Sequence, residues 1–174
     1  GREPNKHFRF QDLAGLKVAV AEEAPTPWLT FQDDLGRAGF PPDRLKRTPD
    51  QPMADNVAAL RAGELDVVQA FEPYAEQLVT EGAGHIWHRF AERGDIAYTS
   101  FYTTKAFAKR QRKTCRALVR GIGRAQIALH STPANEVAKA IREFFPELTQ
   151  RRLSRMISGY RKSGLWAKTP ALPP

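Results

Sequence analysis

The constraint that most limits the fold of this chain is a single segment, residues 57–74. It begins with a helical stretch ending in Leu60-Arg61-Ala62-Gly63. An acidic turn follows at Glu64, then the apolar run Leu65-Asp66-Val67-Val68-Gln69-Ala70-Phe71, then Glu72-Pro73-Tyr74. Glycine just past a helical pattern stops it, and a short β-branched run bounded by turn signals is a buried strand. A helix returning directly into a strand implies a sheet with crossover helices. In open sheets of that kind ligands sit beyond the carboxyl ends of the strands, where Glu72 and Tyr74 fall.

The same alternation precedes this segment. Residues 16–20, Leu16-Lys17-Val18-Ala19-Val20, alternate as a strand does. A proline-containing loop at 22–27 follows. Thr26 and Pro27 fit the N-cap and N1 positions of a helix from 28 to 38, which Gly39 would end. A short strand over 45–48 and a helix over 53–62 come next, and a short helix over 73–79 follows the second clear strand. Residues 86–88 and 97–103 are further β-prone runs. Beyond them the character is helical: 105–130, 134–145 and 148–160, with Leu153, Met156, Ile157 and Tyr160 spaced as one helix face. By pattern the sequence divides into an arm or upstream connection at 1–10, a part over about 11–100 that alternates strand and helix and argues for a sheet covered on both faces, and a helical part over about 104–165.

Composition excludes several classes. Hydrophobic residues make up 41% and charged residues 26% of the 174, which suits a folded globular chain and not a disordered one. No apolar run approaches the ~18 residues of a membrane helix, and the polar start Gly1-Arg2-Glu3-Pro4 does not read as a signal segment. Cys115 is the single cysteine, so neither an intrachain disulfide nor a multi-cysteine metal site can form. Arg112, Lys113 and Arg116 surround it, and a positive field of that kind lowers a thiol pKa; an ordinary helical cysteine is the preferred reading.

Charge is segregated. Residues 1–95 hold 11 Lys and Arg against 16 Asp and Glu, a net −5; residues 96–174 hold 16 against 3, a net +13. Lys109, Lys113, Arg116, Arg120 and Arg124 line one helical face, with Leu118, Ile122, Ala125 and Leu129 opposite. That pattern describes a solvated amphipathic helix, with a nucleic-acid surface as the alternative.

No motif carries catalysis. Gly121-Ile122-Gly123 opens no complete dinucleotide fingerprint and lies within a helical pattern. His85 and His88 would point to opposite faces of a strand, a poor arrangement for one metal. No nucleophile elbow or zinc-protease motif occurs. The expectation is a non-enzyme with no metal and no cofactor.

Two loops remain as a candidate binding site. Residues 21–28 leave a strand and open a helix, whose first N–H groups favour an anion. Prolines remove some of those donors, while Glu22 and Glu23 add negative charge, so a hydrogen-bond-donating ligand fits as well. Glu22, Ala24 and Thr26 would contribute from this loop. Trp28 would either stack on a flat ligand or pack beneath the helix. Glu72 would either accept ligand hydrogen bonds or stabilise a helix start.

At this level of detail a resemblance emerges. Asp12-Leu13-Ala14-Gly15-Leu16-Lys17-Val18-Ala19-Val20 resembles the "DLkGkkVav" strand of the nitrate/sulfonate/taurine-type substrate-binding proteins of ABC importers, a superfamily that includes thiamine-precursor binders. Leu35-Gly36-Arg37-Ala38-Gly39-Phe40 is similar to their "L..aGl" helix end. The stretch from Asn56 to Asp66 is similar to "maaLkaGeiDa", and Phe71-Glu72-Pro73-Tyr74 to "weP(y/f)". Tyr160-Arg161 with Leu165-Trp166 resembles a late helix of the same proteins.

The resemblance implies a type II periplasmic-binding-protein-like fold: one α/β ligand-binding lobe with a mixed sheet at 11–98, a hinge crossing at 99–104, and C-terminal helices at 105–174 that belong to the second lobe. It implies a small polar or aromatic ligand held in an interlobe cleft by Glu22, Ala24, Thr26, Trp28, Glu72, Tyr74 and, near the hinge, Tyr98. It further implies an ABC permease partner, no nucleic acid, and a periplasmic or extracytoplasmic location. Family members are longer and carry much of the second lobe upstream. The chain is thus expected to be a fragment or a split relative, with the missing lobe supplied by the rest of the chain or by a second chain. Thiamine-pyrimidine synthases share the fold but use a cysteine-rich motif that Cys115 alone does not supply. The ligand-sensing domain of a regulator and a basic nucleic-acid-binding protein are the alternatives.

Overall fold

The computed structural model describes residues 1–96 and 98–171. The chain forms two compact units, Gly1–Arg93 and Gly94–Pro174.

The first unit is built on two parallel strands, β1 (Val18–Ala19) and β2 (Val67–Val68), with Val18 opposite Val67 and Ala19 opposite Val68. The Gln69 N–H extends the ladder one step by donating to the Ala19 carbonyl at 2.9 Å. Parallel strands need a crossover, and two helices supply it: α1 (Pro25–Arg37) and α2 (Met53–Ala62). A third, α3 (Tyr74–Thr80), follows β2.

Strand alternation decides which face each helix covers. Val18 and Val20 enter one cluster with Leu13, Phe31, Leu35, Phe40 and Leu45. Ala19 and Ala21 enter the other, with Met53, Val57, Leu60, Leu65 and Leu78. The sheet is therefore covered on both faces, by α1 on one side and by α2 and α3 on the other.

Several boundaries differ from the sequence reading. Helix α1 starts at Pro25, with Ala24 at the N-cap, and Thr26 lies inside the first turn. Both Pro25 and Pro27 are tolerated there because the first turn of a helix makes no use of their missing N–H groups. The expected strand at 45–48 contracts to one bridge, Arg47 to Val18, and Pro49 ends the pairing. Residues 86–88 form no strand: the Trp87 indole N–H donates to the Glu3 carbonyl at 2.6 Å, and His88 packs edge-on to Phe10 and Phe90. Residues 98–103 are likewise not strand, and Ala97 lies outside the described residues. All the pairings described are parallel.

Residues 1–10, which read as an arm, lie against the first unit. Phe8 and Phe10 pack on its core, and the Arg2 N–H donates to the Asp66 carbonyl.

The second unit contains α4 (Lys105–Arg110), α5 (Arg112–Ser131), α6 (Ala134–Ile141) and α7 (Gln150–Lys162). The helix expected over 105–130 is broken at Gln111, whose backbone leaves the helical region. Helix α6 gives way to a 3-10 turn at Arg142–Phe144, because the residue before Pro146 disfavours helix. Thr149 caps α7 by accepting from the Arg152 N–H. Ala138, Leu148, Leu153 and Ile157 form the unit's core, and Tyr160 meets Trp166 edge to face. Among the described residues no helix is long and apolar enough to cross a membrane.

Two carboxylates, the exposed Asp33 and the half-buried Asp12, give the first unit an acid-sensitive component. The Arg93 guanidinium holds Asp33 below its ordinary value of 3.8, helped by Arg37. The Arg9 N–H, with the Asn5 amide, does the same for Asp12. A carboxylate whose folded-state pKa is depressed contributes stability above its unfolded value and loses it as pH falls through the folded one. Urea midpoints are therefore expected to hold down to about pH 4 and fall below it. In Asp33→Asn that fall should be shallower, and an unchanged acid limb would show that the ion pairs do not form in solution.

Candidate functional site

The carboxyl ends of β1 and β2 are joined by one side chain that the sequence reading did not single out. Gln69, buried, accepts from the Ala21 N–H at 3.3 Å and donates to the Pro27 carbonyl at 3.1 Å. Its backbone is paired to β1, so its amide fixes both ends of the 21–27 loop relative to β2. A glutamine within an otherwise apolar strand was the available signal, since a buried amide must find partners.

Glu22 is exposed, and Ala24 and Thr26 are half-buried at the start of α1. Pro25 and Pro27 have no N–H, so Ala24 and Thr26 supply the backbone donors of that helix start. Glu23, exposed as a residue, turns a carboxylate oxygen onto the Met53 N–H at 2.8 Å, capping α2. Its charge is thereby directed to another helix end.

Trp28 is half-buried. It meets Phe31 edge to face, with ring centroids 5.9 Å apart, and the Arg47 guanidinium lies 4.6 Å from its ring centroid. Arg47 also pairs with Asp50. The tryptophan thus combines packing beneath α1 with a stacked cation, an arrangement that holds a ring in place.

Glu72 accepts the Glu76 N–H at 2.8 Å and so caps α3. Tyr74 begins that helix and is half-buried beside the cluster on the α2 side of the sheet. The Phe71 N–H donates to the Met53 sulfur at 3.3 Å, tying this step to the start of α2. Glu23, Met53 and Phe71 therefore link the first loop, the start of α2 and the end of β2. Tyr98 belongs to the second unit and is exposed.

An apolar cavity of about 110 Å3 lies elsewhere on the first unit, walled by Phe8, Phe10, Phe31, Trp87 and Phe90 with β2. Gln69 reaches it, whereas Glu22, Ala24, Thr26, Trp28, Glu72, Tyr74 and Tyr98 do not line it. Among the described residues no three His, Cys, Asp or Glu side chains converge as metal ligands.

The profile of the NMT1-like family matches residues 5–142. The chain belongs to that family. It is also similar to the putative binding protein YtlA of Bacillus subtilis, with 24% identity over 173 residues, 98% of this chain and 52% of that protein. Among solved structures, the alkanesulfonate-binding protein SsuA from Xanthomonas axonopodis pv. citri, bound to MOPS, superposes with a TM-score of 0.64 at 14% identity. That match covers 86% of this chain and 50% of SsuA. The chain has the α/β fold of these binding proteins and spans about half the length of each.

Proposed function

We propose that this chain is part of the solute-binding component of an ABC importer, and that the carboxyl edge of its first unit forms one wall of the ligand cleft. The observation that carries the reading is the Gln69 bridge, which holds the loop after β1 and the step after β2 together at that edge. Family membership and the fold of the binding proteins support it.

The ligand on this reading is a small polar or aromatic molecule, and the site performs no chemistry. The Ala24 and Thr26 N–H groups face its polar or anionic part. Trp28, backed by Arg47, offers a ring edge or face to its flat part. Glu22, Glu72 and Tyr74 add acceptors and a phenol. Residues 99–104 serve as the hinge crossing, and the component works outside the cytoplasm beside its permease.

Mass spectrometry of small molecules retained by the purified protein identifies the ligand, and titration calorimetry then measures its affinity. Trp28→Ala and Glu72→Ala are each expected to weaken binding about tenfold, or about 1.4 kcal/mol. Glu72 also caps α3, so the variant's urea midpoint is measured alongside to separate lost contact from lost structure. Unchanged affinity in both variants would place the ligand elsewhere.

A further inference from the structure

We propose that the apolar cavity of the first unit is a binding site for an uncharged, single-ring aromatic molecule with one hydrogen-bonding group, of which phenol is the simplest. The cavity is lined by none of the side chains assigned to the ligand cleft, so this inference stands whether or not that reading does.

The cavity runs along the outer edge of β2. Val67 and Val68 line it together with Gln69 and Ala70. Further lining comes from both faces of the sheet: Leu13 and Phe31 from one, Leu60 and Leu78 from the other. A space that touches both faces passes around a strand edge, and β1 already occupies the inner one. There the Val67 and Gln69 N–H groups donate to the Lys17 and Ala19 carbonyls at 3.2 and 2.9 Å. Backbone groups alternate in direction along a strand, so Val68 and Ala70 turn theirs away from β1. On that side the Asp66 carbonyl accepts the Arg2 N–H at 2.9 Å, but no backbone carbonyl of a described residue accepts the N–H of Val68 or Ala70. Both residues are half-buried, although helices cover both faces of their sheet. Backbone donors at a covered strand edge ordinarily have partners, and these two open onto an apolar space instead.

The lining selects the ligand. Phe8, Phe10, Phe31, Trp87, His88 and Phe90 contribute six rings. Several already meet edge to face: Phe8 with Phe10 at 5.4 Å and 76°, Phe31 with Phe90 at 5.3 Å and 76°, His88 with Phe90 at 5.2 Å and 79°. A further ring extends that network in the geometry aromatic pairs prefer. No Lys, Arg, Asp or Glu side chain lines the cavity, so a charged ligand would lose its hydration with no counter-charge to replace it. Size sets the last limit. A dry cavity of about 150 Å3 walled by Leu, Ile and Phe accommodates benzene. The cavity here, about 110 Å3, admits one six-membered ring and excludes two fused ones. The ligand's oxygen then accepts from the Val68 or Ala70 N–H.

Phenol, benzene, indole and benzoate are titrated against the 174-residue chain, with isotope-edited NMR locating any bound ring. Phenol is expected to bind saturably, with a dissociation constant on the order of 1 mM or tighter. Its ring should contact Trp87 and Phe90, and the Val68 or Ala70 amide proton should shift downfield. Benzene, which lacks the acceptor, should bind about threefold more weakly, and indole and benzoate about tenfold more weakly. Ala75 lines the cavity from α3 and Ala70 from the end of β2. Ala75→Leu and Ala70→Leu should each fill the space and weaken phenol about tenfold, with urea midpoints showing that the variants fold. The ring contacts are read in the parent chain and decide the matter even where a filling variant does not fold. Four results would each overturn the proposal: no saturable phenol binding, which leaves ordered water as the occupant; ring contacts outside the cavity; benzene or benzoate binding as tightly as phenol; or phenol affinity unchanged in a folded filling variant.

Discussion

Gln69→Leu is expected to destabilise the first unit by about 2–3 kcal/mol and to weaken ligand binding, although leucine nearly matches the glutamine's volume. The cost lies in what the substitution leaves behind. The Ala21 N–H is buried, and the Gln69 oxygen is its acceptor at 3.3 Å. A buried donor left without a partner costs about 1–3 kcal/mol. The Pro27 carbonyl suffers less, because the Thr30 hydroxyl also donates to it at 3.0 Å. Gln69→Glu should fare worse at neutral pH: its carboxylate accepts from Ala21 but cannot donate to Pro27, and it buries a charge. Urea denaturation followed by circular dichroism and tryptophan fluorescence reads the stability, and calorimetry reads the affinity. Equal stability for the glutamine and leucine forms would show that the bridge does not bind the loop to β2.

Binding should fall for a separate reason. The loop after β1 holds Glu22, Ala24 and Thr26, and the bridge is what fixes it relative to Glu72 and Tyr74. Freed from β2, the loop samples several geometries, and its binding-competent fraction shrinks. A small structural penalty at Gln69 thus becomes a loss of affinity in groups that the substitution never touches.

The sequence showed most of the sheet and little of what ties it together. Helix α2 was legible to its ends because Pro52 precedes it and Gly63, at φ 78°, follows it. The two-sided core was legible in the alternation of Val18 and Val20 with Ala19 and Ala21. The start of α1 was not, because Pro25 and Pro27 are equally good first-turn residues and Thr26 between them mimics a cap. Phe8 and Phe10 looked like scattered aromatics in an arm; their partners Trp87 and His88 lie nearly 80 residues away, beyond the reach of local pattern. The candidate site divides the same way. Glu72 was visible by position, and its bond to the Glu76 N–H is the local helix-start role that the sequence offered as one of two readings; Glu23's bond to the Met53 N–H, 30 residues on, depends on how the chain returns. Gln69 was visible as a polar intrusion and could be understood only through its two distant partners.

Arg93 belongs to that second class, and its removal should have the larger effect. Its side chain is 12% exposed and reaches three groups on α1: the Thr30 carbonyl at 2.8 Å, Asp33 at 2.6 Å and Asp34 at 3.3 Å. Asp34 is itself buried, and its second carboxylate oxygen has no hydrogen-bond partner. Arg93→Ala therefore strands the Asp34 carboxylate, whose charge no other described residue offsets at comparable distance. Breaking a buried pair from one side costs about 3–5 kcal/mol, far more than a surface ion pair contributes. Arg93→Lys should recover only part of this, since one ammonium cannot serve three acceptors in the plane of a guanidinium. Arg93→Ala combined with Asp34→Leu separates the explanations. If the penalty comes from the stranded charge, the double variant is more stable than Arg93→Ala alone, and the cycle gives a coupling of at least about 1 kcal/mol. If the two losses simply add, Arg93 stabilises the unit through the packing of its stem. The distinction bears on the site because α1 carries Trp28 in its first turn and Asp33 and Asp34 about a turn and a half further on. A guanidinium at the last residue of the first unit then sets the position of the helix that presents the tryptophan.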